Sequence, residues 1–146
     1  MHGTASKTFS LYLKGRLTTS ELVRLGNYNR SDNWITDKRF PLKKHKPVNR
    51  TVELIEFDYD PTSDEVLTEF ARRGLKRPTC EDAFYFGIRH PEEQGKHPVV
   101  FLHEPVLLPR GRHFVLVLIG RADKRGLFLR WFGRRWRRYY VFAGIR

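Results

Sequence analysis

The stretch TVELIEFDYDPTSDEVLTEFARRGLKRPTCEDAFYFGIRHP, residues 51–91, decides the fold class because it passes from a strand pattern to two helix patterns. Its first nine residues are rich in β-branched and aromatic types and end at an Asp-Pro pair, which predicts a strand. Thr62 and Thr79 each stand three residues before an acidic residue, the spacing of a capping box. The stretch therefore predicts two helices, one ending at Gly74 and the other at His90-Pro91.

The chain after the second helix is rich in apolar residues, as expected for consecutive strands. Residues 98–108 predict one strand, or two pieces interrupted at Pro105. Residues 113–122 are almost wholly apolar, which is typical of a strand inside a sheet. Residues 126–132 and 138–146 then complete a three-stranded antiparallel meander through short turns. We therefore expect an α+β domain in which two helices pack on a twisted antiparallel sheet.

The first third of the chain is more polar and is expected to form an appendage. Residues 1–17 predict a loosely held arm, and the segment 18–26 predicts a short helix with its own capping box. Residues 27–47 predict a loop because they are polar and rich in turn-forming residues. The expected organisation is an N-terminal arm, helix and loop over 1–50 and a ligand-binding domain over 51–146.

Composition limits the classes of protein that the chain can belong to. Hydrophobic residues make up 40% of 146 residues, enough for a packed core, and no apolar run is long enough to span a membrane. No secretory signal is seen, and the single cysteine, Cys80, excludes an internal disulfide. We therefore expect a cytoplasmic or virion-associated protein. A net charge of +12 favours contact with polyanions, although the excess is divided between the two ends of the chain.

The sequence contains no strong catalytic or metal-binding motif. His97, His103 and His113 with Glu104 are the only candidate metal ligands, but no pair of these histidines has helical i,i+4 spacing. Cys80 lies on the apolar face of the predicted helix that begins at Thr79, where a small core residue is the ordinary interpretation. We therefore expect no enzyme activity, no cofactor and no metal.

The carboxyl-terminal stretch GLFLRWFGRRWRRYYVFAGIR, residues 126–146, combines arginines and aromatic rings in a way that strand geometry can resolve. Alternate residues of a strand point to opposite faces, so Leu127, Leu129 and Trp131 share one face and Phe128 and its neighbours share the other. The first set predicts core. The second predicts an exposed face of aromatic and cationic side chains, which is typical of a contact site, although a solvated arginine face is the alternative.

The same residues resemble a known class of proteins. Residues 51–91 resemble the opening of C-type-lectin-fold domains of the formylglycine-generating-enzyme kind, with Gly74, Arg77, Pro78 and Thr79 in a similar turn between the two helices. The tail, with its Leu-x-Leu-x-Trp, Trp and Tyr-x-Phe frame, resembles variable proteins of diversity-generating retroelements from archaea, their viruses and small-genome bacteria. In those systems, a reverse transcriptase rewrites adenine-derived codons at the end of such a gene.

The resemblance implies a division of the tail into constant and variable positions. The constant scaffold would be Leu127, Leu129, Trp131, Trp136, Tyr140, Phe142 and Arg146. The variable, ligand-binding positions would be Phe128, Arg130, Phe132, Gly133, Arg134, Arg135, Arg137, Arg138 and Tyr139. The segment HEPV at 103–106 only half matches the calcium-binding Glu-Pro-Asn of animal lectins, so the resemblance implies no calcium.

Two functions therefore follow from the sequence. The first is a non-enzymatic ligand-binding protein with a hypervariable, retroelement-diversified surface on its C-terminal strands. Its ligand would be an unidentified protein or an anionic macromolecule. The alternative is a basic nucleic-acid-binding domain, in which arginines meet phosphates and rings stack on bases. The sequence leaves the oligomeric state open.

Overall fold

The computed structural model describes residues 3–109 and 111–146, with side chains from residue 7 onward within those ranges. These residues form three α-helices, a 3-10 turn at Glu93–Gly95 and a seven-stranded sheet. The helices are α1 (Thr19–Gly26), α2 (Ser63–Arg73) and α3 (Cys80–Arg89). The strands are β1 (Gly3–Leu13), β2 (Arg30–Ser31), β3 (Val48–Phe57), β4 (Val99–Leu107), β5 (His113–Arg121), β6 (Lys124–Trp131) and β7 (Val141–Ile145).

The sheet has the strand order β1-β3-β7-β4-β5-β6-β2. Its neighbours are antiparallel except for the β4–β7 and β2–β6 pairs, which are parallel. The prediction of an α+β fold with a mostly antiparallel sheet is confirmed. The number of packed helices was predicted too low, because α1 also contributes to the core through Leu22.

All three helices begin with the capping boxes that the sequence predicts. In each box the threonine hydroxyl accepts the N–H three residues on, and the acidic side chain at that position accepts the threonine N–H. The pairs are Thr18 with Glu21, Thr62 with Glu65 and Thr79 with Asp82. At the other end of α2, Gly74 takes a left-handed conformation with φ of 74°, which glycine adopts without steric cost.

The amino-terminal segment is where the structure departs first from the sequence prediction. Residues 1–17 were predicted as a loose arm, but β1 pairs antiparallel with β3 along most of its length. Buried Leu11 and Leu13 alternate with exposed Tyr12, the pattern of a strand with one buried face. The predicted loop at 27–47 likewise contains β2, which adds to the far edge of the sheet. One sheet thus includes strands from both sides of residue 50, and separate roles for 1–50 and 51–146 stay a prediction.

Both faces of the sheet are covered. On one face, α1 and α3 bury a cluster that includes Leu22, Phe84 and Phe86 against inward-pointing residues of every long strand. On the other face, a second cluster joins Phe70 of α2 to Trp136, which lies in the segment between β6 and β7. The carboxyl-terminal segment is therefore part of the core as well as of the surface.

The predicted carboxyl-terminal meander is wrong in its last step. β5 and β6 form the expected hairpin, and β5 lies inside the sheet as predicted. β7, however, does not pair with β6, because it inserts between β3 and β4 in the middle of the sheet. All five residues of β7 are buried, which suits a central strand covered on both faces. Residues 132–140 form the connection that makes this crossing possible, and we call them the 132–140 loop.

Candidate binding face

The predicted variable positions lie at the surface of β6 and the 132–140 loop. We call these nine positions the binding face, and none of them is buried. The exposed ones are Gly133, Arg135, Arg137, Arg138 and Tyr139, and the half-buried ones are Phe128, Arg130, Phe132 and Arg134. Among the predicted scaffold positions, the buried ones are Leu127, Leu129, Trp136, Tyr140 and Phe142.

Two predicted scaffold residues differ from that pattern. Trp131 is 41% exposed, and its ring lies under the Arg112 guanidinium, 4.3 Å from the ring centroid. Strand alternation predicts the direction of a side chain, but it does not predict whether another element covers it. Arg146 is also exposed, yet its guanidinium reaches 2.8 Å from a carboxylate oxygen of the buried Glu53. Arg146 therefore has a structural contact although it is not part of the core.

On β6, the binding face forms one row of side chains. Phe128 and Arg130 lie opposite Val117 and Val115 of β5, and the Arg130 guanidinium carbon is 5.3 Å from the centroid of the Phe128 ring. Gly126 precedes them in the same row, and a side chain there would collide with the Phe128 ring. The glycine therefore leaves the space in which the aromatic ring lies.

The 132–140 loop is held at the amino end of α2 mainly through its backbone. The Trp136 N–H donates to the Pro61 carbonyl at 2.8 Å, and the Arg138 N–H donates to Asp60 Oδ1 at 2.8 Å. Ser63 connects the two sides, because its hydroxyl donates to the Phe132 carbonyl at 2.6 Å. These contacts fix the path of the loop without using the exposed side chains of the binding face.

Buried aromatic rings fix the loop from below. Trp136 is fully buried, and its indole N–H donates to Ser63 Oγ at 2.9 Å. Its ring centroid lies 5.6 Å from that of Tyr140 and 6.1 Å from that of Phe142. Arg134 covers this cluster from the solvent side, 5.2 Å from the indole centroid. The underside of the loop is thus an aromatic core capped by a cation.

The exposed arginines of the loop have surface partners or none. The Arg135 guanidinium donates to the Asp60 carbonyl at 2.8 Å and lies 3.8 Å from Glu65. Arg138 donates to Asp60 Oδ1 at 3.2 Å and to the Asp58 carbonyl at 3.3 Å. Both guanidinium groups are more than half exposed, so these pairs contribute little to stability. Among the residues that the structure describes, the Arg137 side chain makes no hydrogen bond or ion pair. The hydrogen bond from the Arg138 N–H, followed by its side chain, lowers the pKa of Asp60.

Two of the candidate metal-binding and nucleophilic residues, His103 and Cys80, are buried and half-buried respectively. His103 is buried, with Nε2 accepting the Leu116 N–H at 3.0 Å and Nδ1 donating to the Glu104 carbonyl at 2.7 Å. Burial lowers its pKa to about 4, so the imidazole is neutral and both nitrogens are occupied. Burial also raises the pKa of the Cys80 thiol to about 12, which disfavours the reactive thiolate. Within residues 3–109 and 111–146, no group of three potential ligands could hold a metal ion.

The sequence predicts no role for Arg125, which lies in β6 next to the β5–β6 turn. Its guanidinium donates to the main-chain carbonyls of Gly26, Gly87 and Pro91 and to Gln94 Oε1, at 2.5–3.2 Å. It also stacks on Tyr28 at 4.7 Å. We call these residues the Arg125 network. An isolated arginine beside a turn gives no local signal of such a role, because its acceptors come from three distant segments.

No protein family, curated protein or solved structure matches this chain. In the part of the chain that the structure describes, no helix is both long and apolar enough to cross a membrane.

Proposed function

We propose that the chain is a non-enzymatic ligand-binding protein whose β6 strand and 132–140 loop carry a retroelement-diversified binding surface. The observation that supports this most is the way in which the loop is held. Its path depends on main-chain hydrogen bonds, on Ser63 and on buried Trp136 and Tyr140, whereas the side chains of Arg137 and Tyr139 are exposed. Exposed side chains can then be exchanged while the backbone that presents them stays in place.

The order of the elements supports a C-type-lectin-like scaffold for this surface. β3 leads into α2 and α3, and the remaining strands follow, with the carboxyl-terminal β7 returning beside β3. That order agrees with the resemblance of residues 51–91 to the opening of such domains. β7 also holds the end of the loop close to the start of α2, where the loop contacts Pro61 and Ser63.

The chemistry of the surface favours an anionic macromolecule as the ligand. Arginine and tyrosine are the residue types that dominate binding hot spots, because they combine a flat apolar body with hydrogen-bond donors. Here Arg137 and Tyr139 are both exposed and line the same surface pocket. Asp60, which lines the same surface pocket, already accepts two hydrogen bonds from Arg138. A ligand with negative charges would meet little competition there.

Replacing the exposed loop side chains together tests whether the scaffold is independent of them. The variant R135S/R137S/R138S/Y139S should lose no more than about 2 kcal/mol of unfolding free energy, since exposed substitutions cost about 0.5 kcal/mol each. Urea denaturation followed by circular dichroism measures this loss. The matched control is Trp136→Ala in the same loop, which should be far less stable. A quadruple variant as unstable as the control would contradict a diversifiable surface.

The origin of the diversity is tested on the gene itself. We expect a near-copy of the DNA repeat that encodes residues 126–146, close to a reverse-transcriptase gene. The two copies should differ only opposite adenines of the template copy. Substitutions should fall on the codons of the binding face, such as those of Arg137 and Tyr139, and should spare those of Trp136 and Phe142. A complete locus without such a repeat would remove diversification from the proposal and leave a fixed binding face.

A further inference from the structure

A second concave surface adjoins the binding face at the turn end of the β5–β6 hairpin. It is a groove of about 520 Å³ between the hairpin and residues 29–30, which precede and begin β2. Arg30, Arg121 and Lys124 stand around it, and Ile119 and Phe128 provide apolar surface inside it. Phe128 belongs to the binding face and Arg125 to the Arg125 network, whereas Arg30, Arg121, Lys124 and Ile119 belong to no site described above. We call this surface the hairpin groove.

The three cations of the hairpin groove lack partners. Arg30, Arg121 and Lys124 are exposed, and none of their side chains makes a hydrogen bond or an ion pair within the described residues. No acidic side chain lines the groove. Arg73, by contrast, is paired with Glu69 at 2.6 Å. Three unpaired positive charges around one concavity repel one another in the free protein and are favourable to an anion.

Strand register makes the inner surface of the hairpin groove continuous. Arg121 lies opposite Lys124, and the next pair that points to the same face is Ile119 with Gly126. Because Gly126 has no side chain, the Phe128 ring lies against it and joins Ile119 in the lining of the groove. Arg130 follows Phe128 in the same row and leads toward the 132–140 loop. A ligand in the groove would thus meet charges at one end and apolar surface at the other.

We propose that the hairpin groove binds a nucleotide unit, with phosphate beside Arg30, Arg121 and Lys124 and a base against Phe128. Phosphate oxygens accept several charge-assisted hydrogen bonds from arginine and lysine, and a base has a flat face that packs on an aromatic ring. A carboxylate-rich peptide would satisfy the cations but would leave the apolar end of the groove in contact with water. A free nucleotide and a nucleotide within a single strand share this chemistry. The proposal relies on the binding face only for Phe128.

Fluorescence anisotropy with a fluorescein-labelled deoxythymidine octamer tests this site. The variant R30Q/R121Q/K124Q should bind at least about tenfold more weakly and should reduce the slope of log affinity against log salt by about two units. The control K38Q/K43Q/K44Q removes the same charge from exposed lysines at 38–44 and should change affinity by less than about threefold. Phe128→Leu should weaken octamer binding by about fivefold or more, because a base loses its stacking surface.

Competition separates the two sources of the nucleotide from simple anion binding. If thymidine monophosphate displaces the octamer at concentrations close to the dissociation constant of thymidine monophosphate, the ligand is a free nucleotide. If only unlabelled single strands displace it, the ligand is a strand. Either result supports the site. Two results together would overturn the assignment of a base. Pyrophosphate would displace the octamer as effectively as nucleotides do, and Phe128→Leu would leave octamer binding unchanged.

Two further outcomes would overturn the site and leave the binding-face proposal standing. The first is equal affinity of the groove variant and its lysine control. The second is that R135Q/R137Q/R138Q loses octamer binding while the groove variant keeps it. That result would place nucleotide binding in the loop. Conversely, the stability of the serine variant of the loop does not depend on any ligand. If that variant were as unstable as Trp136→Ala, the diversifiable surface would be ruled out and the proposal for the hairpin groove would be unaffected.

Discussion

The Arg125 network and the 132–140 loop both contain arginine, and they use it in opposite ways. The Arg125 guanidinium donates to four oxygens at 2.5–3.2 Å and joins the ends of α1 and α3 to β6. In the loop, Arg137 is exposed, and Arg135 and Arg138 have only surface partners. The Arg125 network would lose its structure without Arg125, whereas the 132–140 loop keeps its structure through backbone contacts and buried rings. The difference separates arginines that hold the fold from arginines that are available to a ligand.

The largest expected effect comes from removing the ring that anchors the loop. Trp136→Ala should destabilise the protein by about 3–5 kcal/mol, because it empties a fully buried site. It also leaves Ser63 Oγ without the indole donor. Urea denaturation monitored by circular dichroism measures the loss. Trp131→Ala is the matched control, since this ring is 41% exposed, and it should cost about 1 kcal/mol or less. Equal losses would mean that the loop is not anchored from below.

A matched pair of arginine substitutions tests the comparison directly. Arg125→Met should cost about 2–4 kcal/mol, because the carbonyls of Gly26 and Gly87 and the side chain of Gln94 lose their donor in a partly buried place. Arg137→Met makes the same chemical change in the loop and should stay within about 0.5 kcal/mol of the parent protein. Thermal and urea unfolding of the two variants give the difference. If Arg137→Met were as costly as Arg125→Met, the loop arginines would be structural and the distinction would fail.

The features that the sequence predicted well are local. Each capping box needs only a threonine and an acidic residue three positions on, so Thr18, Thr62 and Thr79 marked the starts of α1, α2 and α3. Strand alternation likewise separated buried Leu127 and Leu129 from their half-buried neighbours on β6. These signals hold because the backbone alone determines the spacing of side chains on a helix or strand.

The features that the sequence missed depend on contacts between distant segments. The anchor of the loop joins Trp136 to Ser63, and nothing near either residue indicates the other. The crossing of β7 to the centre of the sheet depends on its pairing with β3, about ninety residues earlier in the chain. The structural role of Arg125 depends in the same way on carbonyls from two helix ends and a loop. The sequence therefore gives no signal that distinguishes the role of Arg125 from that of Arg137. Their contacts in the folded chain make the distinction.

The smallest expected effect is a difference in the pH dependence of stability between an acid–arginine contact of the scaffold and one of the loop. Glu69 is buried, and Arg72 and Arg73 each donate to its carboxylate at 2.6 Å. The hydrogen bond from Arg72, followed by that from Arg73, lowers the pKa of Glu69 to about 2. A lowered folded-state pKa stabilises the protein above the unfolded-state value and loses that contribution as the pH falls. Stability should therefore fall between about pH 5 and pH 2, and Glu69→Gln should flatten this part of the curve.

Asp60 provides the matched control in the loop. Its pKa is also lowered, first by the Arg138 N–H, so its contribution is lost in the same direction as the pH falls. The Asp60 carboxylate is more exposed than that of Glu69, and water screens its contact with Arg138. Asp60→Asn keeps an oxygen that can accept the Arg138 N–H, and should change the pH dependence much less than Glu69→Gln does. Urea midpoints at pH 7, 5 and 3 measure both effects. A larger change for Asp60→Asn would mean that the loop is held by charge, whereas the contacts of Trp136 and Ser63 indicate that it is held by packing and backbone hydrogen bonds.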